Sequence, residues 1–502
     1  MNNQKAAETI ESGEKGSSGE DSFKNLSGFK IKALYGPEDI SHLNPETDLG
    51  LPGEYPFTRG IHETMYRQRP WTIRQLGSLD SPSRANERIR QLLQMGATGI
   101  SLCLDMPTIM GKDSDDPLAE GEVGSCGGVA IDTIEDMRHL LKGIPIDEIS
   151  INFVSNSQSS VILAMFVAVA EERGVPLERL TGTMQNDILK EYQAQKSYYF
   201  PPRPSMRLTT DTLSFCNEHM PRFNPISISG YHLASAGATP VQELAFTLAN
   251  GFTYVEEGIR AGLSVDSFAP RLSFFFKVHN DFFENIAKFR AARRIWAKTM
   301  RERFKAKDRR SWILRVHAQT SGSSLTAHQA ENNIIRVTTQ ALSAVLGGTQ
   351  SLHTNAFDEA LALPTEASAR IARNTQHILR EESGVTHVVD PLAGSYYLES
   401  LTDSLITAAR KIIDHVEALG GMTKAVESGM PKLRIEESSA RRQARIDKGE
   451  EVIVGVNRYQ SGVDDDVDIL DIDNSEVFAK QRARLAQVRE ARDQVACDKA
   501  LD

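Results

Sequence analysis

The chain has 502 residues, of which 40% are hydrophobic and 25% charged, enough apolar material for a large core. Its 57 basic and 67 acidic residues leave a net charge of −10 without a basic block, which argues against a nucleic-acid partner. Four cysteines (Cys103, Cys126, Cys216, Cys497) lie far apart with no zinc spacing, no apolar run approaches the ~18 residues of a membrane span, and the polar N-terminus is no signal peptide, so a reduced, cytoplasmic protein without a metal site or membrane contact is expected.

Residues 1–27 are polar and Gly/Ser-rich and read as a disordered extension. Residues 28–95, with the Pro- and Gly-rich GLPGEYPFTRG, read as an ordered arm wrapping the rest. Across 96–400, β-like runs (GISLCL, ISINFVS, LTGTM, PISISG, ILRVHAQ) alternate with helical patterns at 161–174, 240–252 and 282–304. Strand–helix–strand at this spacing means parallel strands with crossover helices. The number of units favours an α/β fold of the (β/α)8 TIM-barrel type over an open sheet, which would usually show a Gly-rich nucleotide turn that is missing here. Residues 401–502 read as a C-terminal helical extension with an acidic linker. Its last helix, from 475 to about 495, carries alternating charges that suit a solvated or partner-docking face.

The strands are odd for a barrel. In ISINFVS, Ile149, Ile151 and Phe153 alternate with Ser150 and Asn152; in PISISG, Ile226 and Ile228 alternate with Ser227 and Ser229. Parallel strands are normally apolar on both faces, and barrel interiors are packed with branched aliphatics. Either the barrel is hollow and hydrophilic, with something elongated and polar passing through it, or these strands have one solvated face.

Six segments carry more. TMYRQRPWTIRQL, TGTMQNDILKEY, SISGYH, FAPRLSFFF, HAQTSGSSLTA and QSLHTNAFDEALALPTE, in this order, resemble the large-subunit barrel of the adenosylcobalamin-dependent acyl-CoA mutases, the methylmalonyl-CoA mutase family. The resemblance covers roughly residues 45–480. It implies a coenzyme A arm threaded along the barrel axis, which accounts for the polar strands. It also implies a radical 1,2-rearrangement of an acyl carbon skeleton, with the cofactor's cobalt–carbon bond as the radical source. The family's cobalamin-binding flavodoxin-like domain carries a DxHxxG motif, which this sequence lacks. The expectation is therefore a substrate-binding chain whose small partner subunit supplies the lower cobalt ligand, in a hetero-oligomer such as two plus two.

The resemblance also implies roles. His232, Gln185 and Tyr231 match the catalytic residues, with His232 hydrogen-bonding the thioester carbonyl. His62, Thr64, Met65, Arg69, Thr72, Arg74, Ser101, Arg271 and Ser273 match coenzyme A contacts, although the family commonly has Tyr where His62 stands. Arg315, His317 and Gln319 match residues facing the corrin or substrate, and Asn355 and Glu359 residues near the adenosyl group. Ser78 stands where methylmalonyl-CoA mutases carry a Gly.

Three departures bear on substrate. Methylmalonyl-CoA mutases clamp the substrate carboxylate with an Arg where this chain has Gln195, and a neutral amide cannot form that charge-assisted fork. They carry Tyr where this chain has Leu76. The 2-hydroxyisobutyryl-CoA mutases, which share the Gln and an aliphatic at Leu76, carry an Asp where this chain has Cys103, and isobutyryl-CoA mutases keep Phe at Leu76. The expectation is a short branched acyl-CoA without a free carboxylate. Methylmalonyl-CoA, or a non-catalytic scaffold barrel, are the alternatives.

Overall fold

In the computed structural model, residues 23–97, 99–460, 467–470 and 474–502 are described, except for the side chains of Gln75, Leu76, Cys126 and Asn474. Most of the extension read over 1–27 thus lies outside the described residues.

The strand segments, in chain order, are β1 (Thr72–Ile73), β2 (Gln75–Leu76), β3 (Gly99–Cys103), β4 (Ser150–Val154), β5 (Thr181–Met184), β6 (Phe223–Asn224), β7 (Ser227–Ser229), β8 (Ser273–Val278), β9 (Val316–Thr320) and β10 (Ser351–His353). They pair in parallel in the orders β1-β10-β9-β8-β7 and β2-β3-β4-β5-β6. The two orders join at both ends. β1 and β2 are one strand interrupted at Arg74, with Thr72 opposite Ser351 on one side and Gln75 opposite Ile100 on the other. β6 and β7 are likewise one strand, and the Ser227 N–H donates to the Gln185 carbonyl at 2.9 Å, tying β7 to the end of β5. The result is a closed barrel of eight parallel strands.

The sheet begins earlier than the sequence reading has it, because β1 and β2 fall inside 28–95, the stretch read as arm. Two apolar-polar pairs split by an arginine carry too little periodicity to announce a strand. The runs at β3, β4, β5, β7 and β9 form strands as expected, and β8 and β10 lie within motifs whose strand character was not read.

Alternation along the strands decides between the two readings of their polar faces. Ile100, Leu102, Ile151, Phe153, Ile228, Phe274 and Leu352 are fully buried under the helix layer. Their neighbours Ser101, Asn152, Thr183, Ser227, Ser273 and Ser351 point inward and line an axial cavity. The barrel is hollow and polar inside.

The helices Ser159–Glu172, Pro240–Arg260 and Phe282–Glu302 cover it, as the helical patterns suggested. Pro240–Arg260 starts from a capping box in which Thr239 and Gln242 exchange side-chain-to-backbone hydrogen bonds. Trp296 lies flat on Phe252, with ring centroids 5.6 Å apart, and edge-on to Phe274, which locks two helices to β8. After the barrel come the helices Tyr396–Ala418 and Met430–Asp447. The last long helix, Asn474–Ala491, packs one face on the rest of the chain and leaves its charged face exposed. Gln481 donates to Asp132 and Asp136 at 2.9 and 3.0 Å, Arg484 pairs with Asp136, and Val477 is buried against Val123 and Ala130. Among the described residues no helix is long and apolar enough to cross a membrane.

Candidate active site

A cavity of about 510 Å³ follows the barrel axis. At the end where the strands begin, it is lined by His62, Met65, Arg69, Thr72, Arg271, Ser273 and Arg315; at the end where they finish, by Cys103, Gln185, Tyr231, His232 and Gln319. Arg74, Ser101 and His317 lie between them along its wall.

The first end is strongly cationic. Arg69, Arg271 and Arg315 there, and Arg74 further along the wall, carry no carboxylate partner among the described residues. Arg315 donates instead to the carbonyls of Pro270 and Leu272. Burial, then the charges of Arg271 and Arg310, lower its guanidinium to about 10. Burial also lowers Arg74. Uncompensated cations at the mouth of a chain whose net charge is −10 are an anion receptor in waiting.

The other end is built from strand termini. β7 runs into the short helix Tyr231–Ser235, which puts His232 at the cavity. Ser229 Oγ lies 2.7 Å from His232 Nδ1 and fixes the ring, leaving Nε2 for a ligand. The Ser229 N–H is held by Asp187, which also accepts from the Tyr254 hydroxyl at 2.6 Å. Burial, with the nearby Lys190 and Lys277, holds His232 well below the ordinary histidine range, so the imidazole is neutral at pH 7. Gln185 accepts from Asn156 Nδ2 at 2.9 Å, which leaves its own amide N–H groups free to donate.

Tyr231 stacks on Phe275, and its hydroxyl accepts from Gln319 Nε2 and the Gly322 N–H, both at 3.4 Å. Gln319 also donates to Asn355 Oδ1 at 3.1 Å, and Asn355 donates to Glu359 at 3.3 Å. Asn355 and Glu359 therefore stand behind the cavity wall, joined to it through Gln319. A Cβ on Gly322 would come within 3.0 Å of Asn355 Nδ2 and 3.2 Å of Glu359 Oε1, so only glycine leaves this recess open. Desolvation in the recess, then the Asp358 charge, push the Glu359 carboxyl up to about 7.

The structure separates some residues that the sequence grouped. Arg315, placed with the cofactor residues, precedes β9 and shares the cationic mouth with Arg271. His317 sits within the barrel, its Nδ1 2.8 Å from Ser351 Oγ. Thr64 is exposed, donates to Gln68 at 3.0 Å and does not line the cavity. Gln195 does not line it either. Its amide oxygen accepts from Lys190 Nζ, an ammonium with no exposed surface that also pairs with Glu191 at 2.7 Å. Cys103 does line it, and burial pushes its thiol up to about 11, so it stays a weakly polar SH. The Leu76 side chain lies outside the described residues. Ser78 is not among the lining residues; it hydrogen-bonds the Cys103 thiol behind them.

Sequence reasoning missed Lys190, Phe275 and His353. Lys190 was legible as an adjacent Lys–Glu pair in the DILKEY run. Phe275 was the one aromatic of FFF on the inward parity of β8. Among the described residues no three metal-ligating side chains cluster.

Residues 24–502 match the family model described as "Methylmalonyl-CoA mutase". The methylmalonyl-CoA mutase of Cereibacter sphaeroides is 54% identical over 483 residues, which are 96% of this chain and 67% of that protein. That of Escherichia coli is 51% identical over 95% of this chain and 66% of its own length. The mitochondrial protein of that name from Homo sapiens is 50% identical over 94% and 62%. The chain thus spans about two thirds of the length of the curated relatives it matches.

Proposed function

We propose that this chain, which belongs to the methylmalonyl-CoA mutase family, is the substrate-holding barrel of an adenosylcobalamin-dependent acyl-CoA mutase, an isomerase. The axial cavity carries the reading: polar along its length, cationic at one end, and closed at the other by His232, Gln185 and Tyr231. Coenzyme A has the same polarity, with phosphates at one end, a narrow polar pantetheine arm, and the thioester at its tip.

The mouth cations, Arg69, Arg271 and Arg315, hold the phosphates, and Ser101, Asn152, Thr183 and Ser273 line the arm's path with small hydrogen-bonding groups. At the tip the neutral His232, fixed by Ser229, donates to the thioester carbonyl, with Gln185 as a second amide donor. The Tyr231–Phe275 stack walls the reacting carbons from solvent, which keeps reactive intermediates from side reactions.

The residues fit the implied cofactor. The side-chain-free recess at Gly322, with the amides of Asn355 and Gln319 and the Glu359 carboxyl around it, offers donors and acceptors to the hydroxyls and ring nitrogens of an adenosyl group. When bound, adenosylcobalamin supplies the hydrogen-abstracting radical. A DxHxxG motif occurs nowhere in residues 1–502, so the lower cobalt ligand comes from outside them, on our reading from a small partner subunit in a hetero-oligomer.

Two substrate readings stand on different observations. The names of the relatives support methylmalonyl-CoA. The matched positions support a branched acyl-CoA without a free carboxylate: Cys103 at the acyl end is an uncharged thiol, and Gln195, off the cavity, is neutral and held by Lys190, itself paired with Glu191. The test mixes the chain with adenosylcobalamin and a cobalamin-binding subunit and offers methylmalonyl-, isobutyryl-, 2-hydroxyisobutyryl-, 3-methylbutyryl- and pivalyl-CoA separately, resolving isomers by chromatography and mass spectrometry. Isomerisation of an uncharged acyl-CoA well above methylmalonyl-CoA supports the second reading, the reverse order the first, and no isomer from any of them refutes the mutase itself.

A further inference from the structure

A second cavity, of about 1550 Å³, opens on the barrel's flank between the first turn of Pro240–Arg260, Tyr396–Ala418 and Met430–Asp447. Eight lysine and arginine side chains line it against three acids, Glu243, Asp403 and Glu450. That is a basic groove on an acidic protein, and nothing in the acyl-CoA reading uses it.

Two groups line its floor, one without a carboxylate and one with an unpartnered ring nitrogen. Lys277, near the end of β8, is only 2% exposed. Its Nζ reaches Ser323 Oγ at 2.5 Å and the Ala234 carbonyl at 3.4 Å, but among the described residues no carboxylate pairs with it. The adjacent acid, Glu243, is already engaged by the Lys277 backbone N–H and by Lys288 Nζ. Two residues on, just past the end of β8, His279 Nε2 lies 3.1 Å from Arg442 Nη2. A guanidinium only donates, so Nε2 accepts and the ring proton sits on Nδ1. That Nδ1 is buried and has no partner. Lys277, which burial lowers to about 7 against the pull of the Glu243 charge, has no carboxylate partner, and the His279 N–H has no acceptor; an acceptor with negative charge in this groove would serve both.

We propose that the flank groove binds a phosphate-class oxyanion, free or carried on a nucleotide, through Lys277 and the Nδ1–H of His279, with the rim arginines Arg441 and Arg445 as its outer field. The site is separate from the barrel mouth, where Arg271 and Arg315 precede their strands; Lys277 lies near the opposite end of β8. Its Nζ is 6.0 Å from the centre of the Tyr231 ring, so an anion here sits one side chain from the active cavity.

The test is calorimetric titration of the full chain with inorganic phosphate and, separately, ATP. Saturable binding is expected that Lys277→Met weakens at least ~10-fold, that Arg441→Glu on the exposed rim weakens several-fold without a change in melting temperature, and that Arg271→Gln at the barrel mouth leaves in place. ATP binding tighter than phosphate identifies a nucleotide as the source, and equal binding identifies free phosphate. Absence of binding by both probes, or binding that Arg271→Gln abolishes while the Lys277 and Arg441 variants retain it, overturns the proposal.

Discussion

Tyr231 lies flat on Phe275, with ring centroids 4.9 Å apart and planes 11° apart, and the neighbouring His232 meets the same phenyl ring edge-on at 89°. One inward aromatic of β8 therefore sets two of the residues that close the axial cavity. The arrangement is rigid because Ser229 and Asp187 fix the turn beneath it.

His232→Ala is expected to lower kcat by about 10²–10³, the usual effect of removing one aligned donor from a developing oxyanion. Acyl-CoA binding should hold, because the mouth cations are untouched. Since burial keeps the imidazole neutral, kcat should show no limb from His232 near its ordinary titration point, about pH 6.5. Steady-state kinetics from pH 5.5 to 8 measures both. An unchanged kcat in the variant would support a scaffold role instead.

Arg271→Gln and Arg315→Gln should each raise KM for acyl-CoA about 10- to 100-fold with little change in kcat, the scale of one lost charge-assisted hydrogen bond. With an acyl-pantetheine substrate, which lacks the phosphates, wild type and variants should converge. Convergence separates phosphate binding from a general distortion of the mouth.

Gln195→Arg tests the substrate argument. An added guanidinium beside Lys190 and Glu191 should raise kcat/KM for methylmalonyl-CoA at least ~10-fold relative to isobutyryl-CoA. No shift in that ratio would show that Gln195 does not govern the acyl end.

Stability rests partly on an ion network that ties the arm to the barrel. Arg290, 1% exposed, pairs with Asp390 at 2.7 Å and with Glu399, and Asp390 also accepts from Arg59 of the arm at 3.1 Å. Arg290→Met leaves buried Glu399 without a cation and Asp390 with Arg59 alone, and should cost about 3–5 kcal/mol by denaturant unfolding. A second effect depends on pH. Burial lowers His353 from its ordinary value to about 4. Between that value and about 6.5 the unfolded chain binds the extra proton, so this group's contribution to stability is intact above pH 6.5 and is lost as pH falls toward 4, by up to roughly 3 kcal/mol. His353→Asn should flatten that part of the stability profile.

Much of this was legible in the sequence, unevenly. Strands with strong apolar alternation, such as ISINFVS, announced themselves and their hollow side together. β1 and β2 did not, because their four residues border Arg74 and take their strand character from β10 and β3. The site motifs gave residues but not their depth. Arg315 and Gln319 sit in one short run, yet a parallel strand carries residues a few positions apart to opposite ends of the cavity. The engagement of Gln195 by Lys190 depends on the π-helical turn Glu191–Gln195, which brings together residues five apart that an α-helical reading would separate.

The most direct test of the central claim is electron paramagnetic resonance of the chain assembled with a cobalamin-binding subunit and adenosylcobalamin, frozen with and without acyl-CoA. The account predicts a coupled cobalt–organic radical signal that appears only when an acyl-CoA is added and is weakened in Arg271→Gln at low substrate. No such signal with any acyl-CoA, from an assembly shown to contain cobalamin, would contradict it.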